Sequence, residues 1–130
     1  MQQTFPKKEK LKSKKDIGLL FSKGKAITIF PIRLLFVELK DPKDDMPFKV
    51  GVSVSKRLFK RAVDRNLIKR RMREAYRLNK SLLSTEKQSN TTYFNIAFVY
   101  IGNEIVDSSV IHSKLKKAME KLKEDWNHHE

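Results

Sequence analysis

The spacing of apolar residues divides the chain into alternating helical and extended stretches. Residues 1–12 lack apolar periodicity and include Lys7, Lys8, Lys10 and Lys12, the pattern of a flexible basic arm. Ser13 followed by Asp16 predicts the capped start of a short helix, with Ile17, Leu20 and Phe21 at helical spacing and Gly24 as its stop. From Ala26 to Leu39 the chain is rich in Ile, Phe, Leu and Val but contains Pro31. Proline cannot donate to a central ladder, so this stretch is expected at an edge or as two short strands near 26–30 and 33–39. Asp41, Pro42, Lys43, Asp44 and Asp45 make a turn-rich loop. Phe48, Val50, Val52 and Val54 then alternate with other residues up to Ser55, which predicts a strand with one apolar face. Residues 58–80 read as a long helix and 81–90 as a polar loop. Tyr93 to Ile101 is nearly continuous apolar and β-prone, and is expected as a central strand. After Asp107, Ser108 and Ser109 as caps, Val110, Ile111, Leu115, Ala118, Met119, Leu122 and Trp126 form the stripe of a final amphipathic helix.

The resulting order, α-β-β-(β)-α-β-α, predicts an α/β (α+β) two-layer sandwich: a single sheet of about four strands with helices packed against it. With no internal repeat or linker, residues 13–130 are expected as one domain behind the arm. A chain of 130 residues buries roughly two-thirds of its unfolded surface and needs no covalent staple. It contains no cysteine, which excludes a disulfide framework, a cysteine-ligated zinc site and a thiol nucleophile, and suits a reducing cytoplasm. No uncharged run approaches the ~18–20 residues of a membrane span, and the Lys-rich start is unlike a signal peptide.

Charge sharpens this picture. Lys and Arg number 29 against 15 acids, a formal net charge of +14, which makes a polyanion the default partner. The excess is patterned. Residues 1–25 hold eight lysines and two acids, and residues 56–80 hold eleven Lys/Arg and two acids. The remaining eighty residues are close to neutral. A helix advances about 100° per residue, so with Val63 at zero, Leu67, Leu78, Ala75, Ile68 and Met72 fall between about 40° and 180°. Lys69, Arg73, Asn66, Arg77 and Arg70 fall between about 240° and 340°, an arc of four cations and an amide with no acid. Guanidinium groups offer forked donors to phosphate, and an Asn among them can reach a phosphate, a ribose hydroxyl or a base edge.

Catalytic side-chain sets are missing from this pattern. The sequence holds no Ser/His/Asp set and no carboxylate pair at a spacing suited to acid–base work. His112 lies beside the final apolar stripe, His128 and His129 lie in a polar tail, and Asp44 with Asp45 reads as a solvated turn rather than a metal site.

Two segments resemble the signature of the bacterial ribonuclease P protein subunit: Val52-Ser53-Val54-Ser55-Lys56-Arg57, and the helix from Ala62-Val63-Asp64-Arg65-Asn66-Leu67-Ile68-Lys69-Arg70 through Arg71-Met72-Arg73-Glu74-Ala75-Tyr76-Arg77. In that family a strand ending Ser/Thr-Val-x-Lys precedes a helix with Arg-Asn-Arg-x-Lys-Arg. Phe21-Ser22-Lys23-Gly24, the strand from Tyr93 and the last helix follow in the family's order, so the likeness spans almost the whole chain. Two positions depart: the family's second Arg is Leu67, and the aromatic in the middle of the first helix is Ile17.

The resemblance implies a left-handed crossover around the basic helix, where general rules favour the right-handed form. It further implies a cytoplasmic protein that binds ribonuclease P RNA and precursor tRNA. Together they remove the 5′ leader by endonucleolytic cleavage, with the chemistry carried out by the RNA and the cofactor Mg²⁺ bound mainly by the RNA. On this reading Lys56, Arg57, Arg61, Arg65, Asn66, Lys69, Arg70 and Arg73 contact RNA. Ile17, Phe21 and Phe36 line a leader cleft whose floor carries Ser53, a mode in which aromatic platforms and a basic groove hold a single strand. The alternatives are a ribosomal or other structural RNA-binding protein without a substrate, and membrane-surface binding by the Lys arm.

Overall fold

A computed structural model of the chain describes residues 9–39, 48–83 and 93–127. The helices are α1 (Lys14–Lys23), α2 (Ala62–Asn79) and α3 (Ser108–Asn127), and the strands β1 (Lys25–Ile29), β2 (Ile32–Leu39), β3 (Phe48–Val54) and β4 (Tyr93–Tyr100). They form an α+β fold with one mixed sheet in the order β1-β2-β4-β3. β2 pairs antiparallel with β1 on one side and with β4 on the other, and β3 runs parallel to β4 with α2 in the connection between them.

Local chemistry accounts for most boundaries. The Ser13 side chain accepts from the Asp16 N–H at 3.3 Å and starts α1. The helix ends at Gly24, whose N–H donates to the Leu20 carbonyl at 2.9 Å. A Cβ at position 24 would lie 2.4 Å from the Leu20 oxygen, so only glycine lets the chain turn into β1 this closely. Pro31 sits in the turn between β1 and β2 and accepts at its carbonyl from the Ile101 N–H at 2.8 Å, and β1 is an edge strand. The loop around Asp44 and Asp45, the arm's first eight residues and the tail holding His128 and His129 lie outside the described residues.

The long helix starts later than residue 58, where the charge and apolar pattern begins it. Ser55 forms a turn in which its Oγ accepts from the N–H groups of Arg57 (3.1 Å) and Leu58 (3.4 Å). Phe59 then drops into the core against Tyr100, with ring centroids 5.9 Å apart. Lys56, Arg57, Lys60 and Arg61 therefore precede α2 in a loop.

The sheet separates two apolar clusters. On one face α2 and α3 cover Ile32, Leu34, Phe36, Val50, Phe94, Ile96, Phe98 and Tyr100 with Ile68, Met72, Tyr76, Ile111, Leu115 and Met119. On the other, α1 places Leu20 over Leu35 and Ala97, with Ile17, Val37 and Val99 at the margin. α1 has only ten residues and packs over β2 and β4, which leaves the same face of β3 partly open.

The described part of the arm is packed rather than free. Lys10 forms a parallel bridge to Val50, the Leu11 N–H donates to the Val50 carbonyl at 2.9 Å, and Leu11 is buried beside Leu20. The reason is apolar: Leu11 lies over Gly51 and packs with Leu20, Leu35 and Ala97.

Candidate nucleic-acid interface

Period-two alternation decides what the open face presents. Val50, Val52 and Val54 point toward α2 and α3, so Gly51 and Ser53 point to the α1 side. There they floor a groove of about 290 Å³, walled by Ile17 and Phe21 of α1 and by Lys10, Leu11 and Lys12 of the N-terminal segment. Arg73 of α2 reaches the same groove. The two basic segments, far apart in sequence, thus meet at one place. Phe21 is 55% exposed there, a large apolar ring left in water beside three cations.

Ile17, Phe21 and Ser53 are brought together in this groove. Phe36 is not. It sits in the opposite cluster, edge-on to Phe94 at 6.3 Å, because β2 pairs with β4 in a register that sends Leu35 and Val37 to the α1 side. The reading of Phe36 as a cleft residue is off by one position, which in a strand means the wrong face.

Along α2 the buried side chains are Ile68, Met72, Ala75, Tyr76 and Asn79, an arc rotated away from Val63 and Leu67. Val63 and Leu78 are exposed, and Leu67 lines a separate shallow groove against the start of α3 with Arg70, Arg71 and His112. Asn66, Arg70 and Arg73 are exposed, and Lys69 is half-buried between them. Arg65 is engaged with the protein itself, since its guanidinium donates to the carbonyls of Phe59 (2.8 Å) and Lys60 (2.9 Å). Arg71 is likewise tied to the Val106 carbonyl at 2.8 Å. Arg77 pairs with Glu74, an acid just outside the basic arc, and the bond holds the Glu74 carboxyl below the usual carboxylate range. Lys56, Arg57 and Arg61 are exposed in the loop before the helix.

His112, half-buried at the second groove, also ties α3 to the end of α2. The Asn79 amide nitrogen donates to the Ala75 carbonyl at 2.8 Å and lies 3.1 Å from His112 Nε2, which must accept its second hydrogen. Among the described residues no three His, Asp or Glu side chains are grouped to hold a metal ion. No helix among them is long and apolar enough to cross a membrane.

The family model described as Ribonuclease P matches residues 5–123. The chain belongs to the bacterial ribonuclease P protein family. A ribonuclease P protein component of Porphyromonas gingivalis is 36% identical over 113 residues, covering 87% of this chain and 82% of the relative. One from Streptococcus agalactiae is 38% identical over 106 residues, covering 82% and 86%. The solved ribonuclease P proteins of Staphylococcus aureus and Thermotoga maritima share the fold, with TM-scores of 0.67 and 0.66 at 23% identity and 88% and 86% coverage of this chain (95% and 96% of theirs). The protein is therefore a subunit of the ribonuclease P holoenzyme, a tRNA-processing nuclease, with ribonuclease P RNA as its partner.

For this ribonuclease P subunit, sequence reasoning missed the strap residues Lys10, Leu11 and Lys12 and the floor residue Gly51. Composition marked the lysines, but only Leu11, a lone apolar residue among them, carried a signal of packing.

Proposed function

We propose that the subunit divides its cations between two RNAs. The exposed arc of α2 (Asn66, Lys69, Arg70) and the preceding loop (Lys56, Arg57, Arg61) face the catalytic RNA. The groove between α1 and β3 holds the single-stranded 5′ leader of precursor tRNA. Arg65 acts chiefly by bracing the loop that presents the other cations. Arg73 lies at the boundary of the two surfaces.

One observation carries the leader assignment: an exposed Phe21 in a groove whose rim is Lys10, Lys12 and Arg73. A base has a π-face to stack on the ring while its phosphate meets a cation, and no base identity is required. Ser53 and the backbone beside Gly51 offer hydrogen-bonding groups to the strand. Ile17 supplies an apolar surface where an aromatic would stack. On this reading the chemistry and its Mg²⁺ belong to the RNA, and the protein's part is to bind, align and neutralise.

Reconstitution tests this reading. The protein with a bacterial ribonuclease P RNA is expected to cleave precursor tRNA at Mg²⁺ concentrations where the RNA alone is nearly inactive. Absence of stimulation contradicts it.

A further inference from the structure

Glu9 is an acid in a stretch of lysines, yet it is only 9% exposed. Its Oε1 accepts from Lys80 Nζ at 2.8 Å and its Oε2 from the Tyr76 hydroxyl at 3.1 Å. Both charged side chains of the pair are 11% exposed, and Tyr76 is buried in the core beside Phe98. Burial, then the charge of Glu9, then the hydrogen bond to it hold the Tyr76 hydroxyl well above the ordinary tyrosine range, so it remains a donor. Two residues on, Leu11 is fixed to Val50 on the other side of the sheet edge. Glu9 to Lys12 therefore cross the edge of β3 as a strap, clipped to the end of α2 at one side and to the groove at the other.

We propose that Glu9, Tyr76 and Lys80 are positioning residues for leader binding, which lock the strap so that Lys10 and Lys12 stand at the groove rim. The inference rests on the leader-groove reading. Neither Glu9 nor Lys80 lines the groove, so the clip acts through the strap. An unlocked strap frees two lysines to sample solvent, and the groove loses their phosphate contacts without losing its floor or Phe21.

The test compares wild type, Glu9→Gln and the exchanged pair Glu9→Lys with Lys80→Glu in the reconstituted holoenzyme. For each, the affinity gained by adding a 5′ leader to mature tRNA is measured across a salt series, with hydrogen exchange on the Leu11 amide. Glu9→Gln is expected to lose protection at Leu11 while β4 stays protected. Its leader-dependent slope of log K against log salt should flatten by up to about 1.4, two contacts at about 0.7 each for a single strand. The exchanged pair keeps the ion pair but offers the Tyr76 hydroxyl no carboxylate at position 9, so it is expected to restore both in part. A merely structural role lowers melting temperature without moving that slope, and an unchanged slope in Glu9→Gln overturns the proposal. If wild type itself gains nothing from a leader, the groove reading fails. In that case the exchange measurement alone decides whether Glu9 locks the strap, and a Leu11 amide still protected in Glu9→Gln overturns the lock.

Discussion

Arg65 and Arg73 stand about two turns apart on one helix and meet different surroundings. The first gives its guanidinium to two carbonyls of its own chain; the second is exposed at the rim of a groove. Arg65→Ala should therefore lower stability by about 1–2 kcal/mol, the scale of charged hydrogen bonds in a partly exposed setting, and thermal melts would read it. Arg73→Ala should leave the melt nearly unchanged and flatten the salt dependence of RNA binding by about 0.7–0.9. The reverse pattern would contradict the division of roles. Asn95 is a different case: it is 1% exposed and neither polar atom of its amide has a partner among the described residues. An unmet buried amide costs about 1–3 kcal/mol, so Asn95→Leu, of similar volume, should raise the melting temperature. Burial also raises the Tyr76 and Tyr100 hydroxyls above their ordinary value near 10. A raised folded-state value means the unfolded chain ionises first, so this contribution is intact below pH 10 and is lost as pH climbs past it. Unfolding titrations above pH 10 should show falling stability, and Tyr76→Phe a shallower fall.

Elements show what could be read from the pattern and what could not. β3 and β4 were legible because alternation and a continuous apolar run have strand meaning, and α3 because Ile111, Leu115, Ala118, Met119 and Leu122 repeat at helical spacing and are all buried. The start of α2 was not, since Ser55 to Arg61 has helix-compatible composition and only the Ser55 turn and the burial of Phe59 interrupt it. Phe36 failed for a related reason. In β2, Ile32, Leu34, Leu35, Phe36 and Val37 are apolar on both faces, so alternation gives no parity, and pairing with β4 alone decides which residue meets α1. At the α1–β1 joint, the close approach to Leu20 makes a sharper forecast. Gly24→Ala should destabilise the fold by roughly 1–3 kcal/mol, because backbone must move to admit the methyl group. A neutral result in a melt would mean the joint is looser than described.

At the scale of the molecule, the net charge of +14 resolves into a strap, a helix and a loop gathered around one groove and one exposed arc. Family membership and sequence pattern agreed on the partner, but the meeting of Lys10 and Lys12 with Arg73 was invisible in the chain. It depends on a short α1 leaving β3 uncovered and on Leu11 lying over Gly51. Crowded cations repel, so anions that bind the folded form should raise its melting temperature through linkage, with sulfate and RNA both effective. The most direct measurement of the central claim is the affinity of the holoenzyme for tRNA with and without a 5′ leader, in wild type and Phe21→Ala. The account predicts tighter binding with the leader, a gain cut by the ~1–3 kcal/mol of one lost stacking platform in Phe21→Ala, and unchanged affinity for mature tRNA. Equal affinities for the two RNAs in wild type, or a leader gain indifferent to Phe21, would contradict it.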